Sequence, residues 1–237
     1  MPKINIPWKK YFRLRYVLIL VLIIILAYMA YVYIEENTRI VPEELLNTAI
    51  NNTLAAESYQ FHTRSTITVE GEDKVFSDIS GERADAQTFH VVGSMLGTEI
   101  NVYQIKDTTY RLDAVTGKWI VTEDNSLLRE SLLMAELNPL SNFYFKELIS
   151  TDYLGKEKVF GKKMYKVECI PKINNKWLDD YFKDLKYIIW IDRKDKVIRK
   201  ATVTALSKEK ESSSLTVEVE LKNFNKEFHI QPPVVQN

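Results

Sequence analysis

Ser214–Phe224 reads SLTVEVELKNF, with Leu215, Val217, Val219 and Leu221 alternating strictly with Thr216, Glu218, Glu220 and Lys222. Successive side chains of a strand point to opposite faces, so the stretch predicts a strand with one apolar and one wet face. The same period of two begins at Ser58, where Tyr59, Phe61, Ile67 and Val69 share one parity and Gln60, His62, Arg64, Thr66 and Thr68 the other. Between these two stretches, strand-like runs recur at short intervals: Lys74–Gly81, Gln87–Val92, Glu99–Ile105, Thr108–Leu112 and Lys118–Val121. They continue through Phe143–Ile149, Glu157–Phe160, Met164–Ile170, Tyr187–Ile191 and Val197–Leu206. Turn residues such as Lys106-Asp107, Thr116-Gly117 and Gly161-Lys162-Lys163 punctuate them.

Three segments depart from this rhythm. Pro42-Glu43-Glu44 opens a helix, with proline at its start and carboxylates where the helix dipole favours them. Leu45, Leu46, Ala49, Ile50, Leu54 and Ala55 then recur at helical spacing as far as Ala56. Asn125–Leu137 and Asn174–Leu185 each carry apolar residues at the same spacing and predict two inserted amphipathic helices. The fold class that follows is α+β. It is a curved antiparallel half-barrel of about 10–11 strands with three helices covering its concave face, because a one-sided sheet of that size must curl and be covered. A closed, lipocalin-like barrel is the alternative, and the two inserted helices weigh against it.

Tyr16–Ile34 (YVLILVLIIILAYMAYVYI) holds no charge, and Lys3, Lys9, Lys10, Arg13 and Arg15 all precede it, whereas Glu35 and Glu36 follow. Length and flanking charge predict an uncleaved single-pass anchor at 16–34, with a cytoplasmic basic segment at 1–15 and the rest of the chain outside a cell membrane. A cleavable signal would need small residues before a cut at Ala30, where Tyr28 stands. A connector at 35–42, a domain at 43–233 and a tail at 234–237 complete the expected organisation.

Beyond residue 34 the chain has 27 basic against 32 acidic groups, a net of −5. Nucleic acid is a poor partner for such a surface, because phosphate binding draws on clustered cations. Cys169 stands alone, so no disulfide forms within the chain and the core must hold the domain together. His62, His90 and His229 lie far apart, none at ligand spacing to another His or Cys. Gly93-Ser94-Met95-Leu96-Gly97 does not place its serine as a nucleophile elbow does, and Gly117-Lys118-Trp119 lacks the rest of a phosphate loop. Neither an active site nor a cofactor or metal site is expected. The one feature with functional content is the apolar concavity, either a filled core or a site for an acyl chain under the Leu- and Met-rich segment 127–134.

Several residue strings together resemble the bacterial lipoprotein-carrier fold family. They are Ala56-Glu57-Ser58-Tyr59-Gln60-Phe61 after the opening helix, and Thr109-Tyr110-Arg111-Leu112-Asp113 with Gly117-Lys118-Trp119. They continue with Met164-Tyr165-Lys166-Val167, Ile189-Trp190-Ile191-Asp192, Val197-Ile198-Arg199-Lys200, Lys222-Asn223-Phe224-Asn225 and Ile230-Gln231-Pro232-Pro233. The resemblance spans about 43–233 and implies a non-enzymatic domain that holds lipid or the acyl chains of a lipoprotein. The side chains expected to line that site are Phe61, Ile67, Leu128, Leu132, Met134, Trp177, Tyr181, Phe182, Val217 and Val219. The alternative from a different class is a module that binds a protein partner and regulates or scaffolds the cell envelope.

Overall fold

The computed structural model describes residues 8–38, 40–123, 138–173, 176–210 and 212–235, with the side chains of 8–15, 32–38 and 176–177 outside the description. Two compact units result, Met1–Val41 and Pro42–Asn237. The first is one helix, α1 (Trp8–Thr38), whose described side chains, residues 16–31, are all exposed. Among the described residues no helix is long and apolar enough to cross a membrane. The cell-membrane, single-pass placement expected above is corrected on that finding.

The second unit opens with α2 (Pro42–Leu54), which carries Glu43 and Glu44 in its first turn. It buries Leu46, Ala49, Ile50 and Thr53, spaced three, four and seven residues from the first, as one stripe of a helix requires. Thr53 fastens the helix to the sheet. Its hydroxyl donates to the Ala49 carbonyl at 2.6 Å and accepts the Ile198 N–H at 2.8 Å. Asn52 adds two bonds from its side-chain amide to the carbonyls of Asp195 and Lys196.

Eleven strands follow: β1 (Tyr59–Val69), β2 (Glu72–Arg83), β3 (Thr88–Met95), β4 (Thr98–Ile105), β5 (Thr108–Leu112), β6 (Trp119–Thr122), β7 (Phe145–Val159), β8 (Lys162–Ile173), β9 (Phe182–Asp192), β10 (Ile198–Ser207) and β11 (Ser213–Lys222). A 3₁₀ turn (Pro139–Phe143) precedes β7, and a one-and-a-half-turn helix, α3 (Lys176–Tyr181), precedes β9. All strands form one sheet, in the order β6-β5-β4-β3-β2-β1-β11-β10-β9-β8-β7. The sheet is therefore two meanders joined through β1 and β11, which pair antiparallel from Gln60↔Lys222 to Val69↔Ser213. Its ends, β6 and β7, are not paired with each other, so the sheet is open and the closed-barrel alternative falls. Eleven antiparallel strands with helices give the α+β class expected.

Chain entry and exit meet at the centre. The Asn225 N–H donates to the Ser58 carbonyl at 2.8 Å, the Glu57 N–H to the Asn225 side-chain carbonyl at 3.1 Å, and the Ser58 hydroxyl to the Lys226 carbonyl at 2.6 Å.

Two expectations about elements are corrected. The runs Phe143–Ile149 and Glu157–Phe160 belong to the single strand β7, whose register against β8 shifts at three places, including between Tyr153 and Lys156. Bulges of this kind break the period of two, which made one strand read as two. The helix expected over 174–185 ends at Tyr181, because Phe182 and Lys183 pair with Ser207 and Leu206 of β10. Strand pairing overrides helical spacing there. The predicted helix at 125–137 lies outside the described residues.

One face of the sheet carries the core. Leu46, Ala49 and Ile50 of α2 pack with Phe61, Ile79, Val91, Val167, Ile189, Ala201, Val219 and Leu221 in one cluster. Leu178, Phe182, Ala205 and Leu215 form a second, with Ile67, Leu185 and Val217 against it. Gly93, on the same face, marks the tightest approach of two strands. A Cβ there would overlap the Asp78 carbonyl oxygen and lie 2.8 Å from the Ile79 Cα, at a φ of +152°. Gly93→Ala is expected to lower stability by about 3 kcal/mol, read as a lower urea midpoint with unchanged slope.

Candidate functional site

The registers arrange the core face in rows that cross the sheet from strand to strand. One row runs Ile100, Gly93, Ile79, Thr63, Val219, Ala201, Ile189, Val167 and Tyr153. The next runs Thr98, Met95, Ser77, Ser65, Val217, Val203, Tyr187, Cys169 and Thr151. On the other side of the first, Val102, Val91, Gly81, Phe61 and Leu221 align. The Phe61 ring lies over Gly81, where a Cβ would come within 2.5 Å of it.

Small side chains concentrate at the middle of this face. Gly93, Thr63 and Ala201 stand in the first of these rows and Ser65 and Ser77 in the second, beside Ile79, Val219 and Val217. Thr63, Ser65 and Ser77 are all buried. The Thr63 hydroxyl has no hydrogen-bond partner among the described residues. This band is what the alternation reading passed over. The parity that singled out Phe61 and Ile67 also includes Thr63 and Ser65, and two hydroxyl residues on an apolar parity were the available signal.

The residues expected to line a ligand site fall in several places. Phe61 and Val219 are fully buried in the first cluster. Ile67, Phe182 and Val217 come together around Leu178, Ala205 and Leu215 in the second. Tyr181 is 49% exposed at the end of α3. Leu128, Leu132 and Met134 lie outside the described residues, as does the side chain of Trp177.

The three histidines lie apart from one another. His62 contacts Asp78 at 2.7 Å on the opposite face, where Arg64 approaches the same carboxylate at 3.5 Å. His90 stacks on Tyr103 at 3.7 Å between ring centroids, and His229 is exposed near Glu227. Asp192 caps the turn into β10. Burial works to raise its pKa, but the N–H groups of Asp195 and Lys194, with Arg199, outweigh that and hold it below the ordinary carboxylate value. Among the described residues no three His, Cys, Asp or Glu side chains are placed to hold a metal ion. A cleft of about 990 Å³ opens where α2 ends, lined by residues including Phe160, Met164, Asp192, Arg199, Glu220 and Phe224. Of its charges, Arg199 lies 3.8 Å from Asp192 and 3.6 Å from Asp195.

The domain is thus an open antiparallel sheet of two joined meanders with a helix docked on its core face. No protein-family model matches the chain, and no curated protein matches it in sequence. Solved structures match it in fold. The lipoprotein LppX of Mycobacterium tuberculosis aligns over 80% of this chain and 99% of its own, with a TM-score of 0.54 at 16% identity. LprF from Mycobacterium bovis aligns over 83% and 96%, with a TM-score of 0.51 at 12% identity. The chain has the LppX/LprF fold, and its resemblance to the lipoprotein-carrier fold family holds at that level.

Cys169 tests how tightly this face is sealed. Burial, with a smaller contribution from Glu168, pushes its thiol up to about 12. Iodoacetamide at pH 8 is expected to leave Cys169 unmodified in the native protein and to modify it fully in 6 M guanidinium, by mass spectrometry. Rapid native labelling would mean that this side of the sheet opens.

Proposed function

We propose that the protein binds a hydrophobic ligand, a lipid or the acyl chain of a lipoprotein, on the core face of its sheet, and performs no catalysis. The observation that carries this reading is the core face itself. Two apolar clusters share it, joined by Val217, Ile173 and Leu185, which pack against both, and small buried side chains at Thr63, Ser65 and Ser77 lie beside them. An extended apolar chain laid along that face gains about 0.8 kcal/mol for each buried methylene. Ligand sites of this kind are mostly apolar, with a few placed polar groups. The likeness in fold to the lipoproteins LppX and LprF supports the same reading.

Phe61 and Val219 then form one wall and Ile67, Phe182 and Val217 the other, with Leu128, Leu132, Met134 and Trp177 as the proposed remainder. Nothing in this reading calls for a cofactor. Among the described residues no acids, bases and nucleophiles converge on the core face, and that separates this reading from a hydrolase.

Native mass spectrometry of the purified full-length chain is expected to show a discrete lipid adduct, and the delipidated protein to take up a fluorescent fatty acid. Val217 is partly buried between the two clusters. Val217→Trp is therefore expected to reduce that uptake at least tenfold while leaving the circular dichroism unchanged. Ile149→Trp, at a position 65% exposed, should leave uptake as it was. A clean apo mass together with no uptake would end the proposal.

A further inference from the structure

We infer that the ligand carries an ester carbonyl, and that the Thr63 hydroxyl recognises it. The inference rests on the hydrophobic-ligand reading and narrows it to a chemical class. Thr63 sits at the centre of the sheet, on the two strands' shared inner row, between Ile79 of β2 and Val219 of β11. Its residue is 1% exposed, and its hydroxyl has no hydrogen-bond partner among the described residues. From Ile100 to Val167 its row is otherwise apolar, and only the terminal Tyr153 carries another hydrogen-bonding side chain.

A buried hydroxyl without a partner carries a desolvation cost that valine, of the same shape and equally suited to a strand, would remove. Threonine at this position makes physical sense when something above the sheet accepts its proton. Ser65 and Ser77 in the next row, and Ala201 beyond Val219 in its own, are small, and the acceptor is placed over that part of the face, where an acyl chain would lie.

The surroundings select the class of acceptor. No charged side chain lies in the row, so a carboxylate would be buried without a counter-ion. An alcohol or an amide would bring a donor of its own that needs a second partner. An ester carbonyl is acceptor-only and is satisfied by a single O–H, which is what Thr63 offers.

The probe is a matched pair, 1-oleoylglycerol and 1-O-oleylglycerol, alike in chain and headgroup and differing in the carbonyl. Binding to the delipidated full-length chain is measured by displacement of a fluorescent fatty acid. The ester is expected to bind roughly tenfold more tightly than the ether, as one hydrogen bond in an apolar site provides. Thr63→Val should abolish that preference by weakening the ester alone, at an unfolding midpoint equal to or above the parent's. Thr63→Ser should keep it. Equal binding of ester and ether by the parent, as a trapped water on Thr63 would give, overturns the assignment and leaves the hydrophobic-ligand reading standing. So does a preference that survives Thr63→Val. Binding of neither glyceride, with no displacement by free oleate, overturns both.

Discussion

The pairing of β1 with β11 is the constraint on which the rest of the domain depends. Every other ladder joins strands that are neighbours in sequence, and each meander could in principle assemble locally. Only the ladder from Gln60↔Lys222 to Val69↔Ser213 brings the two meanders into one sheet. Closing a loop of that length carries an entropic cost that grows slowly with length and is met once. In return, the apolar parities of the two meanders fall on the same face. A slip of one residue between β1 and β11 would turn Leu215, Val217, Val219 and Leu221 outward and expose the centre of the core.

The core face is in consequence continuous but uneven. Where α2 docks, large side chains meet, and the helix is held by Thr53 as much as by its apolar stripe. Where Phe182 and Leu178 pack, a second cluster forms around the start of β9. The rows that cross the middle of the face mix small residues, Thr63, Ser65, Ser77 and Ala201, with large ones such as Ile79, Val219 and Val217. Val217, Ile173 and Leu185 pack against both clusters, so the small residues interrupt a face that is otherwise continuous.

Strict alternation makes strands such as β11 and β1 legible, and the spacing of Leu46, Ala49 and Ile50 does the same for α2. What defeats the reading is local irregularity and long-range pairing. Bulges in β7 break its period, so one strand looks like two. Phe182 fits a helical stripe in sequence, yet its backbone is taken by Ser207 of the neighbouring strand. Phe61, Ile67 and Val217 are recognisable as inward-facing because parity is a property of one strand. The row that isolates Thr63 is a property of nine residues on nine strands, and it exists only once registers are set.

Because entry and exit of the domain are pinned side by side at Ser58, Asn225 and Lys226, the strands follow one another in a cyclic order that is interrupted only between β6 and β7. The covalent ends are therefore arbitrary with respect to the architecture. A chain joined from the end of the domain to the start of α2 and opened between β6 and β7 would keep every ladder, and its one distant pairing would join strands consecutive in sequence, with α2 in the connection. Such a permuted domain would be the same object with a much lower contact order, and topology of that kind folds faster.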